Sequence, residues 1–438
     1  MTLPTDAVGV TAALRCIADL ERLLEVARRL GATVDLDELL VSIVAAATDL
    51  LGCERATVFL YDAAADELRS RVATGITDSP ISEIRFPASR GIAGEVARTG
   101  QLVNLPDAYA DPRFNPEFDR ASGFHTRSML AVRLTDTGDA TVGVLQMLNK
   151  RTGPFDARDE EIAGFLANQA GVAIQRQQLL EHFAEKQKLQ RDLNIARTIQ
   201  QGLLPNEQPL ISGFDVAGWN RPAEETGGDF FDFLPLDDDR LAVVIADVTG
   251  HGVGPAIMMA GARALIRGGL RGVTGLDRAV TDVHQLLCLD MPEGRFVTAF
   301  CGLLSAAAGT VEFMSAGQGP ILLYEAASGD VSELPAQGLP LAFFPEAVYE
   351  NPTRIELAIG DVLVLLTDGF YEWDRADGES FGQERVCELI RRHHHLPATD
   401  LIEHLFEAVV EFSAGGPQLD DLTAVIVRRT ATSTTPPA

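Results

Sequence analysis

One stretch decides how the second half of this chain folds: VVIADVTGHG, at residues 243–252. Its apolar run predicts a buried strand that carries Asp247 to the end of a sheet. Its glycines predict a tight turn in which the backbone can approach a ligand closely. An ionised carboxylate beside a buried strand is unfavourable unless something compensates its charge. Asp247 is therefore a candidate ligand for a cation.

Three other aspartates have similar surroundings. Asp368 follows the apolar run VLVLLT (362–367), Asp229 lies in the glycine-rich turn TGGDF (226–230), and Asp420 stands just before LTAVIV (422–427). Four carboxylates that converge would repel each other, whereas Mg²⁺ and Mn²⁺ prefer oxygen ligands and would neutralise them. The pattern predicts a hydrolytic site that holds two metal ions.

The bulk composition sets limits on the rest of the chain. With 438 residues and 46% hydrophobic residues, it predicts a globular protein of two or more domains. A net charge of −27 argues against nonspecific binding to nucleic acid or to an anionic membrane. Five scattered cysteines without a CxxC pair suggest neither a zinc site nor a disulfide framework. No signal peptide or membrane span is expected, which predicts a cytoplasmic location.

The first half has the pattern of an α+β domain. Apolar residues at helical spacing predict helices over 10–31 and 35–51, with Asp35 as the N-cap of the second. Strands are predicted at 56–61, 68–74, 101–105, 128–134 and 140–149, and a helix is predicted at 159–180. Helices beside a mostly antiparallel sheet form an α+β domain of about 150 residues.

A long helix is predicted between the two halves. The helical pattern runs from Ile162 to about Leu204 and stops there, because Pro205 disfavours helix in the residue before it. Its narrow apolar stripe predicts pairing with a second copy of the chain, although Gln187 and Gln190 interrupt the heptads. A single helix packed on a neighbouring domain is the alternative.

The second half also has an α+β pattern. Strands are predicted at 214–219, 230–235, 241–247, 296–305, 310–316, 321–324, 361–367 and 422–428. Helices are predicted at 254–270, 277–290, 383–393 and 398–413. Strand runs with inserted helix pairs suggest two sheets packed face to face with helices outside, an α-β-β-α sandwich. The expected organisation is an N-terminal segment (1–14), a first α+β domain (15–178), a linker helix (179–206), a second α+β domain (207–430) and a disordered tail (431–438).

Seven short motifs follow one another in the second half: QQGLLP (200–205), TGGDFFD (226–232), IADVTGHG (245–252), FVT (296–298), SAGQ (315–318), LTDG (366–369) and DDLT (420–423). They resemble the PPM family of metal-dependent serine/threonine protein phosphatases, and in particular its bacterial branch of sporulation stage II phosphatases and sigma-factor regulators. The motifs recur in order over about 230 residues, so that chance is a poor explanation.

The resemblance implies a ligand set for two Mn²⁺ or Mg²⁺ ions. It implies that Asp247 bridges both ions, that Val248 offers its backbone carbonyl, and that Asp368 and Asp420 bind the second ion. Asp229 matches the remaining acid of the family, which often reaches a metal through water. Asp229 and Asp247 are thus the expected catalytic carboxylates, and water would attack phosphorus directly. His251 is a candidate proton donor, with a structural turn histidine as the alternative.

A second resemblance lies in the first half. Asn149 and Lys150, followed by Phe155 and then by Asp159 and Glu160, resemble the NK-F-DE signature of GAF domains that bind cyclic nucleotides. The resemblance implies a GAF sensor domain with these five residues as candidate ligand-binding residues. The ligand would be a cyclic nucleotide or another small molecule. In the alternative interpretation, a Lys150–Asp159 pair fastens the last strand to the last helix without any ligand.

These features together predict a regulated protein phosphatase that acts as a homodimer. The resemblance suggests a phosphoserine or phosphothreonine on an anti-sigma-factor antagonist as its substrate. A non-catalytic scaffold that binds partners through the GAF domain is the main alternative, and hydrolysis of a small phosphate ester is a third.

Overall fold

The computed structural model describes residues 6–33, 35–70, 84–272 and 275–431. The chain divides into two compact units, Met1–Gln187 and Lys188–Ala438, so that the division falls inside the predicted linker helix. Three predictions lie partly outside the described residues: the N-terminal segment at 1–5, the strand end at 71–74 and the tail at 432–438.

The first unit is a mixed helix and sheet domain, as predicted. Its elements are α1 (Asp6–Ala32), α2 (Leu36–Leu51), β1 (Cys53–Asp62), β2 (Glu67–Ser70), β3 (Ile84–Pro87), α3 (Gly91–Thr99), β4 (Val103–Leu105), α4 (Glu117–Ser122), β5 (Met129–Thr135), β6 (Thr141–Lys150) and the beginning of α5 (Ala157–Leu203). A short 3-10 turn at Ala108–Ala110 precedes α4. The predicted N-cap is confirmed, since Asp35 accepts a hydrogen bond from the backbone N–H of Glu38 at 3.0 Å.

The strands of this unit form one antiparallel sheet in the order β3-β2-β1-β6-β5-β4. One face buries α2 and the first turns of α5 through residues such as Ile43 and Ile174. The other face buries α3 through residues such as Val96. Sequence analysis missed β3, α3 and α4, because these elements are short and their apolar residues do not complete a recognisable period.

Helix α5 continues for 47 residues and ends at Leu203, directly before the Leu204-Pro205 pair that predicted its end. Several of its apolar side chains are exposed, among them Leu179, Phe183, Leu189 and Ile199. No helix in the described part of the chain is long and apolar enough to cross a membrane.

The second unit confirms the predicted sandwich. Its further elements are β7 (Phe214–Arg221), β8 (Phe230–Pro235), β9 (Arg240–Val248), α6 (Val253–Leu270), α7 (Leu276–Asp290), β10 (Val297–Ser305), β11 (Thr310–Ala316), β12 (Ile321–Glu325), β13 (Asp330–Leu334), β14 (Thr353–Glu356), β15 (Val362–Leu366), α8 (Gln383–His393), α9 (Ala398–Ser413) and β16 (Leu422–Arg429). All predicted strands and helices of this unit are present, with ends that differ by one or two residues. The exposed strands β13 and β14 were missed.

Two five-stranded antiparallel sheets build the sandwich, in the orders β14-β11-β10-β9-β8 and β13-β12-β15-β16-β7. Residues from both sheets, such as Phe313 and Leu365, share the buried layer between them. Helices α6 and α7 cover the outer face of the first sheet, and α8 and α9 cover that of the second. The strands of both sheets have apolar residues on both faces. Each sheet therefore packs against the other sheet on one face and against a pair of helices on the other face.

Candidate metal centre

The strand pairing brings the predicted acidic residues to one end of the sandwich. Phe230 in β8 pairs with Ala246 in β9, so that Asp229 lies beside Asp247. In the other sheet β15 pairs with β16, and Asp368 lies two residues after Leu366, the last residue of β15. Asp229 also joins the two sheets, because its Oδ2 accepts hydrogen bonds from the hydroxyls of Thr367 (2.7 Å) and Thr423 (2.6 Å).

Sequence analysis did not assign a role to Asp421, which is buried and fixes the turn before β8. Its Oδ2 accepts from the backbone N–H groups of Gly228 (2.8 Å) and Asp229 (3.3 Å). Its Oδ1 accepts from the N–H of Ala223 at 2.8 Å. Asp421 therefore positions Asp229, whereas the neighbouring Asp420 is exposed and was the predicted metal ligand.

The glycines of the turn at 226–230 are required by close packing. A Cβ at Gly227 would clash with the carboxylate of Asp421. A Cβ at Gly228 would clash with the backbone carbonyl of Val248. The two glycines allow the Asp229 turn to lie directly against the strand end that bears Asp247 and Val248.

The carboxylates of this centre titrate far from their ordinary range. Burial and the charge of Asp368 raise the pKa of Asp247 to about 7. Burial and the charges of Asp420 and Glu372 raise the pKa of Asp368 to about 6. Burial, then the charges of Asp247 and Asp421, hold the pKa of Asp229 well above its usual value. These mutual effects show that the carboxylates lie within electrostatic reach of one another.

The donor set fits divalent cations of the Mg²⁺ and Mn²⁺ class. No lysine, arginine or histidine forms an ion pair with these aspartates within the described residues, so that their charges lack compensation from the protein. The same residues contain no group of three His, Cys, Asp or Glu side chains already placed to hold one ion. The fit therefore rests on carboxylate oxygens that come from separate strand ends, from buried Asp229 to exposed Asp420, and such oxygens are the ligands that these ions prefer.

Two other predicted features surround this centre. His251 follows Gly250 on the exposed side, and its Nδ1 lies 2.9 Å from Oε1 of Glu224, which is also exposed. Gln318 is the last residue of the SAGQ motif. Its Oε1 accepts from the hydroxyl of Thr298 (2.9 Å) and its Nε2 donates to the carbonyl of Leu366 (3.0 Å). Gln318 thus connects β10 to the end of β15.

The end of helix α5 contacts the centre through one side chain. Gln200 is buried, and its Nε2 donates to the carbonyl of Gly227 at 2.6 Å. Its Oε1 accepts from the N–H of the same glycine at 3.1 Å. A further hydrogen bond joins Gln190 Nε2 to Glu225 Oε1 at 2.9 Å. We name the two hydrogen bonds between Gln200 and Gly227 the Gln200 clamp.

In the first unit, Asn149 is occupied by contacts within the protein. Its Oδ1 accepts from the N–H groups of Arg127 (2.6 Å) and Ser128 (3.3 Å). Its Nδ2 donates to the carbonyl of His125 and to Glu54, both at 2.9 Å. The residue is buried and has a φ of 57°, in the left-handed region.

The other four signature residues are engaged in the same way. Lys150 pairs with Asp159, which fastens β6 to α5. Phe155 is part of the buried core. Oε1 of Glu160 accepts from Nδ2 of Asn104 at 2.8 Å, and the same amide donates to the carbonyl of Phe155 at 3.1 Å. These contacts agree with the interpretation in which the Lys150–Asp159 pair fastens the last strand of this unit to its last helix.

Comparisons with known proteins agree with both halves. Residues 237–430 match the family model of stage II sporulation protein E (SpoIIE), and residues 35–174 match that of the GAF domain. The chain is similar to phosphoserine phosphatase RsbU of Bacillus subtilis (25% identity over 264 residues, covering 59% of this chain and 76% of RsbU). It is also similar to a probable 3',5'-cyclic phosphodiesterase, pde-5, of Caenorhabditis elegans (32% over 179 residues, covering 39% of this chain).

The chain spans only 24% of the length of that phosphodiesterase. Among solved structures, the SiaA-PP2C domain of Pseudomonas aeruginosa is similar, with a TM-score of 0.49 and 25% identity over 56% of this chain and 98% of that domain. The two matched ranges lie on either side of the division at 187 and 188. The chain therefore contains a region that matches the GAF domain and a C-terminal region that matches SpoIIE.

Proposed function

We propose that this chain is a metal-dependent protein phosphatase that hydrolyses phosphoserine or phosphothreonine. One observation carries the proposal: Asp229, Asp247, Asp368 and Asp420 come from separate strand ends, and the resulting charge cluster has no protein cation among its described ion pairs. The SpoIIE match over residues 237–430 supports it.

In this proposal Asp247, the carbonyl of Val248, Asp368 and Asp420 hold two Mn²⁺ or Mg²⁺ ions, and Asp229 reaches an ion directly or through water. Such ions supply Lewis acidity toward a phosphate ester and toward the attacking water. The protein itself positions the carboxylate of Asp229. The hydroxyls of Thr367 and Thr423 hold one oxygen of Asp229, and Asp421 holds the backbone of the same residue.

The exposure of part of this centre suits a protein substrate. Asp420 and His251 are exposed, whereas Asp229 and Asp421 are buried. In this proposal a phosphorylated side chain of the partner approaches from the exposed side that bears Asp420 and His251. RsbU is named a phosphoserine phosphatase, which supports this substrate class. We propose an anti-sigma-factor antagonist as the phosphoprotein.

The GAF domain would control this activity through α5. The helix begins after the signature segment of the GAF domain, and its last turns bear the Gln200 clamp on Gly227. Gly227 lies two residues before Asp229, so that a shift or rotation of α5 would displace the turn that carries a site carboxylate. Local hydrogen bonds of this kind can transmit a change only if they join two elements that move together.

The chain is expected to act as a homodimer that pairs through α5. The exposed apolar residues Leu179, Phe183, Leu189 and Ile199 would be covered in such a pair. The substitution Leu189→Glu should then convert a dimer to a monomer in light scattering after gel filtration. A wild-type chain that is monomeric at micromolar concentration would contradict this part of the proposal.

The activity is tested with a serine phosphopeptide, p-nitrophenyl phosphate and a nucleotide in the presence of Mn²⁺. Turnover of the phosphopeptide that is lost in Asp247→Asn and kept in Asp282→Asn, an exposed carboxylate on α7, would support the proposal. Turnover of the nucleotide alone would favour a small phosphate ester as substrate. A folded, Mn²⁺-loaded protein without any turnover would favour the scaffold interpretation.

Ligand binding by the GAF domain stays a prediction. The five signature residues make contacts within the domain, which supports a fastening role for Asn149, Lys150, Phe155, Asp159 and Glu160. Equilibrium dialysis with cyclic GMP and cyclic AMP tests the alternative. Saturable binding that Lys150→Met abolishes would assign the ligand role to this segment.

A further inference from the structure

The histidines of this chain are concentrated in one segment that the proposed function does not use. Four of the eight histidines lie between residues 393 and 404: His393, His394, His395 and His404. His393 ends α8, His394 and His395 lie in the connection that follows, and His404 lies in α9, on the outer face of the second sheet. The carboxylates of the metal centre belong to other elements, so that this cluster needs its own explanation.

Two of these rings face each other across the helix pair. His393 is the last residue of α8, and His404 lies in the second turn of α9. Their ring centroids are 4.8 Å apart and their planes are inclined by 39°. Both side chains are half-buried, so that they are held in place but still open to solvent.

The proton on His404 can be assigned from its hydrogen bond. Its Nδ1 lies 2.8 Å from the backbone carbonyl oxygen of Asp400. A carbonyl oxygen only accepts, so that Nδ1 must carry the proton. In the neutral ring Nε2 then holds a free lone pair. Metal-binding histidines are usually oriented by such a bond from the other ring nitrogen.

The distance between the two ring centroids matches the distance expected when both rings bind the same ion. Two imidazole nitrogens at ~2.0–2.1 Å from one ion, with an angle of about 90–110° between them, place their ring centroids about 4.5–5.2 Å apart. The observed 4.8 Å falls within this interval. We propose that His393 and His404 bind one divalent transition-metal ion of the Zn²⁺ class and thereby join the end of α8 to α9.

The surroundings favour this class of ion. The nearby cations Arg391 and Arg392 both pair with Glu388, at 3.8 and 2.8 Å. Imidazole selects Zn²⁺, Ni²⁺ and Cu²⁺, whereas carboxylates select Mg²⁺ and Mn²⁺. The two sites therefore take different ions.

Water would complete the coordination. Within the described ranges, no third His, Cys, Asp or Glu joins any such group, so that two histidines would be the protein ligands. A site with two protein ligands and an open position exchanges its ion readily. The ion would act as a reversible staple between α8 and α9, and its binding would raise the stability of the folded state by mass action.

Titration calorimetry of the full chain with Zn²⁺, in an excess of Mg²⁺ that occupies the carboxylate centre, tests the proposal. We expect one Zn²⁺ to bind to the wild type, and we expect His393→Ala and His404→Ala each to weaken this affinity by about 10-fold or more. His182→Ala, which removes an exposed histidine from α5, is the matched control and should leave the affinity unchanged. Equal affinity in His404→Ala and wild type would overturn the proposal.

A spectroscopic measurement does not depend on the variants. Electron paramagnetic resonance of the wild type with one equivalent of Cu²⁺ should show hyperfine coupling to two imidazole nitrogens. A signal from one nitrogen or none would overturn the assignment of the pair. Tryptophan fluorescence of each variant establishes that the catalytic unit is folded, because Trp219 and Trp373 both lie in that unit.

Discussion

Replacing Asp247 by asparagine is expected to stabilise the metal-free protein at the same time as it abolishes activity. In the absence of cations, burial and the charge of Asp368 raise the pKa of Asp247 from 3.8 to about 7. Between pH 3.8 and about pH 7, Asp247 is therefore still protonated in the folded state but is already ionised in the unfolded state. The free energy of unfolding falls by about 1.4 kcal/mol for each pH unit in this interval.

The full effect is present above about pH 7, where the carboxylate is charged in both states. A shift of this size corresponds to a loss of about 4 kcal/mol at pH 8, as an upper limit because the neighbouring carboxylates titrate together. Below about pH 4 both states hold the proton and the loss disappears. Asp247→Asn cannot ionise, so that it should exceed the wild type in stability at pH 8 and should match it near pH 4.

Urea unfolding in EDTA, followed by tryptophan fluorescence, measures this difference. Both tryptophans, Trp219 and Trp373, belong to the catalytic unit, so that the signal does not report the GAF domain. Asp282→Asn, on the exposed face of α7, is the control and should leave the pH dependence unchanged. Mn²⁺ should stabilise the wild type far more than Asp247→Asn. If Asp247→Asn is less stable than the wild type in EDTA at pH 8, the inference of an uncompensated charge at this position is wrong.

Three further substitutions test the contacts around the centre. Gln200→Ala leaves the buried N–H and carbonyl of Gly227 without their partner, which should cost about 1–3 kcal/mol in unfolding free energy and lower kcat more than it changes KM. The exposed neighbour Gln201→Ala is its control, and equal kinetics in both variants would exclude a role for the clamp. Asp421→Asn should destabilise the catalytic unit by about 2 kcal/mol in urea unfolding, because its amide nitrogen would face at least one of the three backbone N–H donors that contact the carboxylate. An unchanged unfolding midpoint would show that these hydrogen bonds contribute nothing. His251→Gln should lower kcat less than about 10-fold, since its ring pairs with exposed Glu224, and a loss of about 100-fold or more would establish it as the proton donor.

The strands that position the centre could be predicted because their signal is strong and local. The run before Asp247 consists of residues that are buried on both faces, and the same holds for the run before Asp368. A strand buried on both faces is an unbroken apolar run, which is visible in the sequence alone. The edge strand β13 could not be predicted, since its residues are mostly exposed and its sequence, DVSEL, has no clear alternation.

The different roles of Asp420 and Asp421 could not be predicted from the sequence. The two residues are adjacent and identical, and either could be the metal ligand by spacing alone. What distinguishes them is the position of Ala223, Gly228 and Asp229, whose N–H groups all point at Asp421 from almost 200 residues away in the chain. A burial difference caused by such distant partners leaves no local pattern in the sequence.

The role of Gln200 could not be predicted from the sequence for a related reason. On a long, mostly exposed helix, a glutamine is typical of a solvent-facing position, and only the fold places it against Gly227. Its amide satisfies both the donor and the acceptor of that glycine, so that the end of α5 takes part in the same hydrogen-bonded turn as Asp229. Any change in the helix that breaks the clamp must expose two buried polar groups or move the turn. Asp421 holds the other side of that turn. The proposed control through α5 would therefore act on the turn that carries Asp229 and would need no rearrangement of the sandwich.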